Sequence, residues 1–420
     1  MSVFGRYSSL YYTPGANAGD LLFSGIDQTA YKRDEAYGVQ AEGAYHLGDR
    51  HTLRGGVLFQ ADDIVNNTSS LVLPTAPGSA TSANQNPLCI APANTCQASD
   101  VPVTIIDNGT KHAWSYSLYI QDEWRILTTV TINYGLRYDQ FRAFDAEDQL
   151  SPRANVVWKP TDTTTVHGGY ARYFSPPPIE NVATTDIALF DNTTTAADHT
   201  DTTPKAERAD YYDLGVSQQV SEALSVGLDS FFNASHDLID EGQFGAPIIL
   251  TPFNYRTGRQ YGIEFTSTYN VAGFSAYLNA AYERADGRDI VSSQFQFNPN
   301  DLAYIATHYI PLDHQQIVTA SAGASYKWKD TTFSADMLFG TGLREDGVTP
   351  NGGHLPAYLQ TNLGVTQAFS IAGSDGYTAR FDVINVFGTK YEIRNGTGVG
   401  VGAPQFGPRR GFFIGFSKAL

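Results

Sequence analysis

The residues of this chain that could do chemistry fall into four groups. The first is a set of charges set among apolar neighbours: Arg137 and Asp139, Asp213 and Asp229, Arg380 and Asp382. Such charges read either as a surface that steers or docks something, or as ordinary hydrated and paired groups. The second is His308 and His314, in one segment with Asp301, Tyr304, Tyr309 and Asp313. Imidazole and carboxylate are metal-ligand types, but the same segment suits loop packing or ligand contact, and no metal is assigned. Phe295, Phe297, Tyr304, His308 and Tyr309 are the candidate ligand contacts, with loop packing as the plainer role of their rings. The third is the run Gly396-Thr397-Gly398-Val399-Gly400-Val401-Gly402. It lacks the Lys-Ser/Thr of a phosphate loop and any βαβ setting, so a flexible loop is expected. The fourth is Cys89 and Cys96, read as a loop disulfide in an oxidising compartment. No Gly-x-Ser-x-Gly or His-Glu-x-x-His motif appears, so no catalytic residue, enzyme activity or cofactor is expected.

The elements that must position these groups are strands. Trp114, Tyr116, Leu118 and Ile120 alternate with Ser115, Ser117, Tyr119 and Gln121. After a turn at Leu127-Thr128-Thr129, Val130, Ile132, Tyr134, Leu136 and Tyr138 alternate with Thr131, Asn133, Gly135, Arg137 and Asp139. Strand side chains have period two, so one face is apolar and the other polar. A soluble core rejects Arg and Asp on its inner face. A wall between lipid and a watery lumen accepts them, which is the signature of a transmembrane β-barrel. Arg137, Asp139, Asp213, Asp229, Arg380 and Asp382 are then lumen-facing.

Composition agrees. Aromatic residues make up 13 %, with 25 Tyr, 24 Phe and 39 Gly in 420 residues. Barrels place aromatic girdles at both interfaces. No run approaches the 18 or so apolar residues of a transmembrane helix. The net charge of −16 disfavours nucleic acid as a partner and fits acidic, solvated loops.

Seven short turns join alternating segments, near Gly48-Asp49-Arg50, Leu127-Thr128-Thr129, Pro160-Thr161-Asp162, Ser221-Glu222, Val271-Ala272, Lys329-Asp330 and Gly373-Ser374-Asp375. Longer irregular segments lie between the hairpins, at 66–111, 175–205, 242–254, 286–314, 344–356 and 389–410. That asymmetry matches short periplasmic turns and long extracellular loops. Seven hairpins, a last strand over 411–420 and a first over 3–12 give about sixteen antiparallel strands. Residues 21–32 read as a strand or as loop. The expected architecture is thus all-β, with residues 1–420 as one outer-membrane barrel domain.

Several segments resemble the barrel of TonB-dependent outer-membrane receptors. Ser117-Leu118-Tyr119-Ile120-Gln121-Asp122-Glu123-Trp124 is similar to that family's LYxQDEW strand. Thr131-Ile132-Asn133-Tyr134-Gly135-Leu136-Arg137-Tyr138-Asp139 resembles LxxGLRYD. Leu150-Ser151-Pro152-Arg153, Gly169-Tyr170-Ala171-Arg172-Tyr173-Phe174 and Arg380-Phe381-Asp382-Val383-Ile384-Asn385-Val386-Phe387 follow in the family's order. The resemblance implies a barrel of about 22 strands with an N-terminal plug, which TonB remodels so that a scarce solute enters. No segment here matches a plug or a TonB-engaging stretch. TonB is therefore expected as a partner only through a missing N-terminal region.

The resemblance implies a bacterial outer-membrane location, contact with its lipid and insertion by the barrel-assembly machinery. It also implies uptake of a small-molecule nutrient: a siderophore or other metal chelate, a vitamin or a carbohydrate. A plug-less, porin-like channel and a β-rich binding or adhesion protein are the alternatives. The first residues, Met1-Ser2-Val3-Phe4-Gly5-Arg6, show no secretory signal. Either a signal has been removed or the chain is the tail of a longer protein. At the other end Phe412, Ile414 and Phe416 alternate, with Lys418 and Leu420 departing mildly from the aromatic ending of assembly signals.

Overall fold

Period-two alternation builds strands throughout. The computed structural model describes residues 1–15, 18–75, 97–179, 187–195, 203–243, 250–292, 297–402 and 404–419. Sixteen long strands make one sheet. They are β1 (Ser2–Tyr12), β2 (Ile26–Leu47), β3 (His51–Val72), β4 (Val103–Leu127), β5 (Val130–Arg142), β6 (Ala146–Thr161), β7 (Thr164–Ser175) and β8 (Glu207–Gln219). The series continues with β9 (Leu224–Gln243), β10 (Leu250–Val271), β11 (Phe274–Ile290), β13 (Val318–Trp328), β14 (Thr331–Gly340), β17 (Tyr358–Ile371), β18 (Ser374–Ile384) and β21 (Gly411–Lys418). The two-residue β12 (Ile310–Pro311) joins the same sheet beside β11. Each long strand pairs antiparallel with the next long strand in chain order. Among the described residues β1 pairs with β2 and β21 with β18, and no ladder joins β1 to β21.

Register sets the two faces. Across β4 and β5, Leu118 pairs with Tyr138, Ile120 with Leu136 and Trp124 with Ile132; one step away Ser117 pairs with Asp139 and Gln121 with Gly135. The outer face leaves large apolar side chains uncovered, including Trp114, Leu118, Ile120, Leu136, Tyr212, Leu214, Ile263 and Phe381. A continuous apolar surface of this kind is unfit for water and suited to hydrocarbon.

All seven short turns lie where the alternation places them. Residues 2–12 form β1, and the ambiguous 21–32 divides into a short helix, α1 (Gly19–Ser24), and the start of β2. The first irregular segment is shorter than expected, and three of the later ones carry short elements of their own. β3 runs to Val72 and β4 begins at Val103, so the 66–111 segment loses both ends to strand. The 286–314 segment carries α2 (Pro299–Ile305), the 344–356 segment the pair β15 (Arg344–Glu345) and β16 (Gly353–His354), and the 389–410 segment the pair β19 (Glu392–Arg394) and β20 (Gln405–Phe406). β2, β3 and β10 have 22 residues each and β4 has 25. A membrane needs only about 9–11 per strand. These strands therefore run past the hydrocarbon band at the long-loop end, where buried residues concentrate.

Candidate functional site at the long-loop end

The largest apolar cluster among the described residues sits at this end of the sheet. Leu238 on β9, Phe253 and Tyr255 on β10, and Ala285 and Ile290 on β11 pack with Ile305 of α2, Ile310, Leu312 and Val399. α2 is set locally: Asn298 caps it, its side chain accepting from the Asn300 amide at 2.9 Å, with Pro299 in the first turn. Phe297 packs edge-on against Phe253 at 4.9 Å between ring centres.

Three asparagines with no exposed surface knit the loops. Asn351 donates to the carbonyls of Pro311 and Val399 and accepts from the Val399 amide at 2.8 Å. Asn254 donates to the carbonyls of Lys205 and Asp237 and accepts from the Lys205 amide and from Ser292. Asn385 donates to the carbonyls of Thr389 and Pro408 and accepts from the Thr389 amide. Asn351 and Asn385 have φ of +55° and +50°, a conformation asparagine tolerates better than most residues.

The glycine run is not a flexible loop. Val399 and Val401 are buried, and the run is pinned by Asn351 and by Asp313, whose Oδ2 accepts from the Val401 amide at 3.1 Å. Gly398 and Gly400 have φ of +89° and +144°, and a Cβ on either would collide with Asn351 or Asp313. The glycines serve close approach rather than mobility.

Charge collects beside this cluster. His314 Nδ1 lies 3.0 Å from Asp313 Oδ1 and 3.4 Å from Asp240 Oδ1, and Arg394 lies 3.1 Å from Asp313 Oδ2. The two carboxylates, Asp240 foremost, push the His314 pKa up to about 10. Burial raises Asp240. Sequence reasoning grouped His314 with His308, but the fold separates them. His308 instead stacks on Tyr304 at 4.3 Å and stays exposed. Tyr309 lies under the guanidinium groups of Arg259 and Arg288, 4.3 and 4.9 Å from its ring centre, and donates to Thr257. Phe295, Cys89 and Cys96 lie outside the described residues.

The six charges expected to face the lumen lie on the polar face, and all six are paired. Arg137 Nε donates to Asp139 at 2.8 Å while Ser117 bonds both partners. His167 Nε2 bridges Asp229 at 3.0 Å and Asp213 at 3.5 Å, over Gly215, where a Cβ would not fit. Arg380 pairs with Asp382 at 2.7 Å. Nearby, Gln121, Asn133, Arg153, Asn155, Tyr173 and Asp213 are among the residues lining a recess of about 200 Å³. Such a wall offers amides, a guanidinium and phenols to a polar occupant. The signal for the charges was legible as alternation; nothing in the sequence pointed to the three asparagines.

Comparison with known proteins agrees with the fold. The chain superposes on the ferric yersiniabactin uptake receptor FyuA of Yersinia pestis with a TM-score of 0.65 at 13% identity, covering 98% of this chain and 57% of that one. The siderophore receptor PiuA of Acinetobacter baumannii gives 0.64 at 13%, covering 99% and 61%. The ferric citrate transporter FecA gives 0.64 at 14%, covering 98% and 57%. The chain thus spans less than two thirds of these structures, and at such identity they speak for the fold. No curated protein matches the sequence. A family model described as TonB dependent receptor-like, beta-barrel matches residues 2–386, and the chain belongs to that family.

Proposed function

We propose that this chain is the barrel part of an outer-membrane receptor that takes up a scarce solute of the siderophore, vitamin or carbohydrate class, energised by TonB in the intact protein. The observation that carries the reading is the union of an apolar outer face, a charged and paired inner face, and a packed cluster at the long-loop end. Solute would be met first by loop residues beside that cluster, with Tyr304, His308 and Tyr309 as contacts, and then pass the polar wall. Unpaired strand edges are costly in lipid, so the free edges of β1 and β21 would be covered by further strands and the lumen by a plug. TonB would act through that further region, and the barrel-assembly machinery would insert the whole.

Sixteen long strands also suit a porin-like channel, which leaves an aqueous pore once closed. That reading needs β1 and β21 to pair. Two measurements separate the readings. A strain lacking this protein is grown on a panel of ferric chelates, cobalamin and oligosaccharides, with and without TonB. TonB-dependent loss on one class supports the receptor, and no loss on any overturns it. The chain refolded in a planar bilayer gives large, ungated conductance if it is a channel.

A further inference from the structure

We propose that Asp240, Asp313 and His314 form a binding site for one divalent transition-metal ion of the zinc class, which staples the end of β9 to the loops at the long-loop end. The ion is a structural one, distinct from any solute carried, and the inference stands apart from the receptor reading.

The donor atoms of these three side chains all lie within 4.8 Å of one another. An ion with bonds of about 2.0–2.2 Å holds its donors roughly 3.3 Å apart, so an inward shift of about 1 Å completes the site. Imidazole nitrogen with carboxylate oxygens favours a zinc-like ion over calcium or magnesium, which take oxygen alone. The ligands come from β9 and from the loop that follows β12.

A second observation is independent of that cluster's acidity. Two buried polar atoms at this place have no partner among the described residues: Asp240 Oδ2 and the hydroxyl of Tyr255. Asp240 is 4% exposed and Tyr255 0%. Tyr255 pairs with Leu238 and Phe253 with Asp240, so the phenol stands on the same face as Asp240, one step along the ladder. Its hydroxyl lies in the field of both Asp240 and Asp313. Native proteins rarely leave such groups empty, and an ion or the water on it is a usual occupant.

The protein's own cations do not fill the gap. The His314 proton serves Oδ1 of Asp313 and Oδ1 of Asp240. Arg394 and the Val401 amide both take Oδ2 of Asp313. Asp240 Oδ2 and Tyr255 are left over. An ion taking the place of the imidazole proton is shared by the Asp240 and Asp313 carboxylates, with Tyr255 on the same face as Asp240 to bond a metal-held water. The His314 side chain, 48% exposed, marks the way in.

The test uses the full chain refolded in detergent and stripped with a chelator. Calorimetric titration with zinc is expected to give one ion per chain. Asp240→Asn and His314→Gln are each expected to weaken binding at least tenfold, while His167→Gln, in the lumen, leaves it unchanged. Copper added in zinc's place is expected to show one imidazole nitrogen coupled in its electron paramagnetic resonance spectrum. Absence of saturable one-to-one binding overturns the proposal, as does wild-type affinity in both site variants. Should the variants fail to fold, the wild-type copper spectrum decides alone: no nitrogen, or nitrogens from several imidazoles, overturns it.

Discussion

In the wall, each side chain meets neighbours one register step away, and the same contact recurs on every strand pair. In the loop cluster, Asn351 holds Val399 across 48 positions and Asp313 holds Val401 across 88. The wall is redundant: antiparallel pairing recurs between all neighbouring long strands, so a lost contact leaves others like it. The cluster hangs on single residues, each satisfying several backbone groups at once. Damage should therefore be local and severe in the cluster, and dilute in the wall except where the solvent itself is wrong for the new group.

The sharpest break is Asn351→Ala. It strands the Val399 amide and the carbonyls of Val399 and Pro311 in a dry setting. At about 1–3 kcal/mol for each buried group left unpaired, the cluster loses about 4 kcal/mol. Hydrogen exchange at the Val399 and Val401 amides should speed by about a thousandfold, while amides of β5 keep their rates. Equal acceleration in β5 would make wall and cluster one cooperative unit.

The wall's weakness is its solvent. Leu136→Arg places a charge on the outer face, several residues above the tight turn after β4. Near the midplane this costs about 3 kcal/mol. Asn133→Arg, on the inner face of the same strand, should change stability by less than about 0.5 kcal/mol. Denaturant unfolding in lipid vesicles compares the two. Equal costs would mean that both faces of β5 meet the same medium.

This contrast explains what the sequence disclosed. Period two and short turns are local, so Trp114–Tyr138, the seven turns and the polar face that carries Arg137 and Asp382 could be read directly. The strand overhangs could not, because residues 66–70 and 107–111 have no apolar side chain on either face and resemble loop. Nor could the asparagine clamps, whose partners lie 17 to 49 positions away for Asn254. The glycine run misled for the same reason. Gly398 and Gly400 look like mobility until Asn351 and Asp313, brought up by other loops, show what a Cβ would strike. Gly400→Ala is accordingly expected to cost about 2 kcal/mol through a strained φ and collision with Asp313. Limited proteolysis between residues 394 and 405 should quicken; an unchanged cleavage rate would show that the run moves freely.

The smallest effect tests whether wall and cluster grade into each other. Lys111 lies on β4 well above the tight turn, paired with Ile64 and over the ring of Phe144, at the foot of a second apolar cluster. Burial, aided by Lys32, lowers its pKa to about 8. An unfolded lysine titrates near 10.4. Between those values the unfolded chain binds more protons than the folded one, so stability rises with pH from about 8 to 10.4 and is flat below 8. Lys111→Met removes the buried charge and keeps the stem. It should stabilise the protein by about 1 kcal/mol at pH 7, after allowance for screening at a partly exposed site. The gain should vanish above about pH 10.4. Unfolding midpoints of both proteins across that range check it. A gain independent of pH would assign the effect to packing on Phe144 alone, and place the base of this cluster under the wall's rules rather than the loops'.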